Sequence, residues 1–395
     1  MSPGDAAAAS PPTARLGPLQ GLRVIELASI GPVPMCCMLL ADQGADVVRI
    51  DRLQPSGLGL NIQPQHDVNG RSRRSVALDL RSAEGREAAL RLIDAADVLV
   101  EGFRPGVTER LGLGPEVCSA RNPRLVYGRM TGFGQTGPLA QAAGHDLNYI
   151  ALSGALHAIG APDGPPLPPL NLVGDYGGGA LYLAFGVMAA LFERQRSGLG
   201  QVVDAAMVDG AASLASVFWG LQAAGDWQAE RGHNLLDGGA PFYSTYATAD
   251  GKYVSLAPLE PKFFAALATA LQLDGRFVSR QYDRRVWPEM REAISKAVLQ
   301  HTRDEWCQKL EGTDVCFAPV LSFEEAPLHA QATQRRAFVD VGGFAQPAPA
   351  PRFSRSVSAD PQPAPEEGQH TAQLLAEAGY SADQISQLMA QGAAR

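Results

Sequence analysis

The chain has 395 residues, 46% of them hydrophobic and 19% charged, with a formal net charge of −8. A chain of this length buries a large core and divides into two lobes or more. The acidic balance excludes a nucleic-acid surface, which needs clustered Lys and Arg in excess, but allows a small anionic ligand held by a few local arginines.

Residues 1–16, rich in Ala, Pro and Ser, lack a basic start and an apolar stretch, so they read as a disordered tail and not as a secretory signal. Residues 22–27 read as a strand, 34–43 as a helix closed by Gly44, and 46–50 as a second strand. Strands over 75–80 and 98–101, with an amphipathic helix over 82–95 between them, precede another strand over 125–130. Strands and helices alternating in this way predict an α/β, Rossmann-like large domain with a mostly parallel sheet, whose ligands gather at the carboxyl ends of the strands. The loop Ala28-Ser29-Ile30-Gly31-Pro32-Val33-Pro34 lacks the GxGxxG that lays a pyrophosphate on a helix N-terminus, so a nicotinamide or flavin dehydrogenase is not expected. Walker A, HExxH and Gly-x-Ser-x-Gly patterns are absent too. Arginine recurs at or beyond strand ends, as Arg49 and Arg52, then Arg81, then Arg104 and Arg110. Together these suit a polyphosphate at the sheet edge; singly, each reads as a solvated surface residue.

His145 lies between a turn-rich stretch over 131–138 and an apolar run, which places it at a helix N-terminus. There the helix dipole opposes protonation and keeps the imidazole able to accept a proton; a capping or core histidine is the alternative. The same helix start leaves N–H groups, including that of Asp146, suited to an oxyanion hole. A helical stretch follows from about 175 to 196. Its apolar part, 180–192, is shorter than the roughly 18 residues of a membrane span and is closed by Glu193-Arg194, which predicts a helix buried in the protein. Asp175 precedes Gly177-Gly178-Gly179, and each glycine costs about 1 kcal/mol relative to alanine inside a helix. Close approach of some group to that backbone is implied; a capping aspartate with glycines packed on a neighbour explains the pattern as well.

Residues 201–206 read as extended and 209–224 as a second helix. Segments 242–248 and 252–257 alternate aromatic and β-branched residues around an Ala249-Asp250-Gly251 turn, a hairpin signal. Glu260 precedes Pro261, a usual first-turn residue, and taken alone reads as a cap or surface carboxylate. Helices over 261–271, 287–300 and 303–310 complete a smaller α+β domain. The expected division is a tail over 1–16, the large domain over 17–224, the small domain over 225–314, a return to the large domain over 315–355, and a C-terminal tail over 356–395 with a helix over 382–392. Cys36, Cys37, Cys118, Cys307 and Cys316 show neither CxxC nor metal-ligand spacing with histidine; they read as reduced thiols of a cytoplasmic protein, and no metal is expected.

Three blocks, Gly21-Leu22-Arg23-Val24-Ile25-Glu26-Leu27, Ala41-Asp42-Gln43-Gly44-Ala45-Asp46-Val47-Val48-Arg49-Ile50 and Glu101-Gly102-Phe103-Arg104-Pro105-Gly106, resemble the N-terminal signatures of family III CoA-transferases. The blocks over 144–149, 169–179 and 236–243 are similar to the α-methylacyl-CoA racemase branch of that family, and the resemblance covers roughly 17–355. It implies an interlocked homodimer, an acyl-CoA thioester substrate, and a 1,1-proton transfer at the α-carbon through an enolate. His145 and Asp175 match the acid/base pair of similar enzymes, Asp146 supplies the backbone N–H for the enolate, and Glu260 matches a glutamate that hydrogen-bonds the histidine across the dimer interface. By the same matching CoA is held by Arg52, Leu78, Asp79, Leu80, Arg81, Gly102, Phe103, Arg104 and Arg110, and by Gly144, His145, Asp146, Leu147, Asn148 and Tyr149. No separate cofactor is implied, since CoA is part of the substrate. A CoA-transferase using Asp175 as covalent nucleophile, and a non-catalytic CoA-binding protein, are the alternatives. Residues 213–221 lack the methionines of related acyl surfaces, which implies a differently shaped acyl pocket.

Overall fold

The structure, a computed structural model, describes residues 16–54, 57 and 62–395, so the expected tail lies, Leu16 apart, outside the described residues. The chain forms two compact units. The first holds the described residues up to Tyr149, then Asn171–Ala211 and Arg336–Arg395; the second holds Ile150–Leu170 and Ala212–Arg335.

The first unit is built on six parallel strands, β1 (Arg23–Leu27), β2 (Asp46–Asp51), β3 (Arg74–Ala77), β4 (Val98–Glu101), β5 (Val126–Thr131) and β6 (Val202–Ala206), in the order β3-β2-β1-β4-β5-β6. Successive side chains point to opposite faces, and both faces are covered, which is why these strands read as continuous apolar runs. Ile25, Val48, Leu99 and Tyr127 pack on one side with Ala88, Leu92 and Ile93 of the helix Ala83–Asp94. Val24, Val47, Val98 and Val126 pack on the other with Cys36, Cys37 and Leu40 of the helix Pro32–Asp42 and with Leu183, Val187 and Leu191. The chain moves outward from β1 to β3 and returns to β4, so the loops after β1 and β4 diverge at a topological switch point.

Several expectations need correction. Residues 356–395 are no tail: the helices Thr371–Glu377 and Ala382–Ala390 bury Leu374, Leu375, Ile385 and Leu388 in the core, and Ala394 bridges to Leu78. The first of these helices is too short for its period to show in the sequence. The stretch expected as one buried helix is Leu172–Ser197, and only one face is buried; Leu181, Phe185, Met188 and Phe192 stand exposed on it. Its 26 residues are long and apolar enough to cross a membrane by length and composition alone. Its first part, Leu172–Leu181, is a wide π-helix in which the Tyr176 N–H reaches the Asn171 carbonyl five residues back, at 3.3 Å. The helix expected over 209–224 is two, Met207–Leu214 and Ser216–Ala224, broken where Ala215 leaves the helical conformation.

In the second unit β7 (Ser244–Ala247) and β8 (Tyr253–Leu256) form the expected hairpin, and β9 (Phe317–Pro319) adds to β8. That third strand keeps the chain in the second unit past 315. Tyr246, Val254 and Leu256 pack with Phe264 and Leu267 of the helix Pro261–Ala270 and with Met290 and Ile294 of the helix Trp287–Val298. A hairpin of β10 (Phe338–Val341) and β11 (Phe344–Pro347) belongs to the first unit.

Candidate active site

The helix Asp146–Leu152 begins directly after His145. The His145 N–H donates to Asn148 Oδ1 at 3.1 Å and its carbonyl accepts from the Asn148 N–H at 2.8 Å, so backbone bonds fix the start and leave the imidazole exposed. Tyr149 anchors this corner. Its ring meets Phe133 edge-on at 4.9 Å, its hydroxyl donates to the Gly144 carbonyl, and a β-carbon at Gly132 or Gly144 would lie 2.1 or 2.8 Å from the ring. The glycine before His145 is therefore a packing requirement. Leu147 is exposed, whereas Tyr149 is buried as a support of the loop.

Asp146 does more than offer an amide. Its buried carboxylate accepts the Asp175 backbone N–H at 2.6 Å, tying the histidine's helix to the wide helix. Burial raises the Asp146 pKa, with the bonds from the Asp175 and Gly174 amides opposing. The Asp175 carboxylate accepts from Asn171 Nδ2 at 3.2 Å. Burial pushes its pKa above the ordinary carboxylate value; Asn171 opposes, Asp146 adds to the rise, and His145 opposes. His145, Asp146 and Asp175 thus share one electrostatic cluster, in which Asp175 is biased toward holding a proton.

The glycines beside Asp175 meet the close approach that their sequence implies. A β-carbon on Gly178 would lie 2.6 Å from the Ala211 nitrogen, and one on Gly210 would lie 1.9 Å from the Gly178 carbonyl oxygen. One on Gly31, in the loop after β1 at φ +73°, would lie 3.4 Å from Asp175 Oδ2.

The same loop leads to the arginines. A β-carbon on Gly102, just after β4, would lie 3.1 Å from Ser29 Oγ and 3.0 Å from Val33 Cγ2, and the Phe103 ring faces the Arg52 guanidinium at 5.8 Å. Arg52, Phe103, Gly102, Ser29, Gly31 and Asp175 therefore form a continuous track at the carboxyl edge of the sheet. Burial pushes the Tyr149 phenol up to about 12, with Asp175 adding and Arg104 opposing, so Arg104 also acts on this cluster. Arg104 and Arg110 are exposed, and Arg110 Nη1 lies 3.3 Å from where a Gly106 β-carbon would be. Arg49, by contrast, is held by Asp51 at 2.9 Å.

The run from Leu78 to Arg81 uses its amides within the protein. Leu78 N–H donates to the Asp51 carbonyl, Asp79 N–H to the Ala393 carbonyl and Arg81 N–H to Asp79 Oδ1, at 3.0, 2.9 and 3.0 Å. Leu80 packs on the core, and the Arg81 residue is exposed. Glu260 precedes the helix Pro261–Ala270 in the second unit, where its side chain is exposed and does not cap the helix. Among the described residues no His, Cys, Asp and Glu cluster is suited to a metal. The sequence reading missed Asn171, whose signal was its position four residues before Asp175, and Gly31 and Ser29, which nothing but the sheet topology brings to the site.

Residues 19–371 match CoA-transferase family III. The chain is 45% identical over 372 residues to an alpha-methylacyl-CoA racemase of Mus musculus, covering 94% of this chain and 96% of that protein. It is 44% identical over 384 residues to the alpha-methylacyl-CoA racemase of Homo sapiens, with the same coverage of 94% and 96%. Among solved structures, a CAIB/BAIF family protein from Brucella suis superposes with a TM-score of 0.77 at 28% identity, covering 92% of this chain and all of that one.

Proposed function

Because this chain belongs to CoA-transferase family III, we propose that it racemises 2-methylacyl-CoA thioesters by 1,1-proton transfer between His145 and Asp175. The observation that carries the reading is the 2.6 Å bond from the Asp175 N–H to the carboxylate of Asp146, the residue after His145, which ties the two helix starts together at the carboxyl edge of a sheet whose loops also carry Arg52, Phe103 and Arg104. The curated racemases at 44% and 45% identity support it. A thioester α-proton is weakly acidic. One group of the pair takes it, the C–H electrons move into the thioester carbonyl to give an enolate, and the other group returns a proton to the opposite face. The Asp146 N–H, in a first turn without a partner one turn back, can stabilise that enolate by a few kcal/mol. The residues assigned to CoA remain Arg52, Leu78 to Arg81, Gly102 to Arg104, Arg110 and the loop from Gly144 to Tyr149, and the proton transfer is assigned to side chains. The transferase reading, with Asp175 as covalent nucleophile, has no need of His145 as a base, so the presence of His145 weighs against it.

The test is to incubate one pure 2-methylacyl-CoA enantiomer in D2O without an acceptor acid, following stereochemistry and α-deuterium together. Racemisation with deuterium incorporation is expected. CoA transfer to an added acid without exchange would replace this reading with the transferase, and neither outcome would leave a CoA-binding protein.

The reading includes a cytoplasmic homodimer in which Glu260 of one subunit hydrogen-bonds His145 of the other. The free cysteines support a reducing compartment. Support for the dimer comes from Leu181, Phe185, Met188 and Phe192, spaced four, three and four residues apart on one helix face and 39–75% exposed. Replacing Phe185 and Phe192 together by glutamate is expected to give a monomer in sedimentation with little residual activity. A fully active monomer would sink the shared site.

A further inference from the structure

Glu101 closes β4 directly beneath the Gly102 to Arg104 loop and is fully buried. Its Oε2 accepts the Phe103 N–H at 2.7 Å, and its Oε1 accepts from Arg129 Nε, on β5, at 2.9 Å. Arg129 reaches on to Glu109 with bonds of 2.8 and 3.3 Å, and Glu109 lies on the short helix Val107–Arg110. One hydrogen-bonded chain thus joins the loop that carries Phe103 and Arg104 to the turn that carries Arg110. Gly102 packs against Val33 and Ser29, which leaves the residues beyond it, Phe103 and Arg104, to be held by Glu101.

We propose that Glu101 is a positioning residue for CoA: gripped by Arg129, its carboxylate holds the Gly102 to Arg104 loop in its binding shape, and protonation releases the loop so that CoA binds more weakly as the pH falls. The inference rests on the CoA reading above. The groups facing Glu101 are the Phe103 amide from its own strand end, Arg129 and Tyr127 from β5, and Glu109 from the following helix. Burial pushes the Glu101 carboxyl up to about 7, opposed by the Phe103 N–H and Arg129 and assisted by Glu109. With its folded value raised above 4.5, the folded chain binds the extra proton between 4.5 and about 7, so this group's contribution to stability falls as the pH rises through that window.

The experiment measures the Kd of CoA and of dephospho-CoA by calorimetry on the full chain, from about pH 6 to about pH 8.5. Dephospho-CoA lacks the phosphate monoester that itself titrates near pH 6. The expected result is a Kd that rises, by up to about tenfold per pH unit below the Glu101 midpoint, for both ligands. Glu101→Gln is expected to bind about tenfold more weakly at the alkaline end, to lose the pH dependence with dephospho-CoA, and to keep its Tm at pH 8. A flat wild-type profile with dephospho-CoA, a Gln variant with wild-type affinity and profile, or a loss of Tm parallel to the loss of affinity each overturns the proposal. Absence of CoA binding at every pH would instead overturn the function proposed above. Amide exchange at Phe103 in the ligand-free chain then still decides the role of Glu101, which fails if protection is the same in the wild type and the Gln variant.

Discussion

Replacing His145 by alanine or Asp175 by asparagine is expected to lower kcat/KM for racemisation by about 10²–10⁴-fold, the usual contribution of a positioned general acid or base. KM should move little, because neither group is assigned to the phosphates. The two losses should differ in kind. Each variant retains one group, so the enantiomer whose α-proton faces that group still loses it and regains deuterium from the same side, giving exchange without inversion. The other enantiomer should show neither. The fold is expected to survive both changes, since the imidazole is exposed and the bonds at the helix start come from the His145 backbone. Asparagine preserves the shape of Asp175 next to Asn171. Circular dichroism and Tm check this, and a variant that racemises at the wild-type rate would remove its residue from the mechanism. Because burial raises the Asp175 pKa, the direction that starts from its protonated form should persist above the ordinary carboxylate range and lose rate as the pH rises.

Gly178→Ala and Gly210→Ala are each expected to be strongly damaging in the first unit. Their β-carbons would meet backbone atoms at 2.6 and 1.9 Å, and backbone cannot turn aside as a flexible side chain can. Overpacking of this kind costs about 1–3 kcal/mol, and here the wide helix and the helix Met207–Leu214 must separate to relieve it. Since Asp175 sits on that wide helix, with its amide on Asp146, activity should fall further than Tm alone explains. Gly220→Ala provides the opposite sign from the same chemistry. Gly220 lies in the helix Ser216–Ala224 with nothing within 4 Å of an added β-carbon, so alanine there should stabilise by about 0.5–1 kcal/mol. Thermal unfolding of the three variants checks the prediction; equal Tm values would show that the crossing of the two helices is softer than its distances imply.

The strands were legible because a parallel sheet covered on both faces leaves a continuous apolar run, and the helix Ala83–Asp94 because Ser82 caps it and its apolar face repeats. The start of the helix after His145 was legible for a similar reason, since turn residues followed by an apolar run are local signals. The glycines beside Asp175 announced a close approach without naming the partner, which proved to be the backbone around Gly210 and Ala211. The helix Thr371–Glu377 escaped detection because its seven residues make barely two turns. Glu101 stands at the head of a family motif, yet its role stays hidden in the sequence because its partner Arg129 is 28 residues away and nothing in the spacing links them.

What the sequence determined by itself was the local grammar: which stretches are strands or helices, where the chain turns, and the ordered motifs that mark the family. These follow from backbone preferences and apolar periods that act over a few residues. Only the tertiary structure decided which of those residues are available for chemistry. Arg49 is claimed by Asp51, the Asp79 amide by Ala393, and the Asp175 amide by Asp146, while burial raises the Asp175 carboxyl. Desolvation and hydrogen-bond occupancy depend on which atoms pack around a group. Where those atoms come from segments as distant in sequence as Asp79 and Ala393, no local pattern can report them.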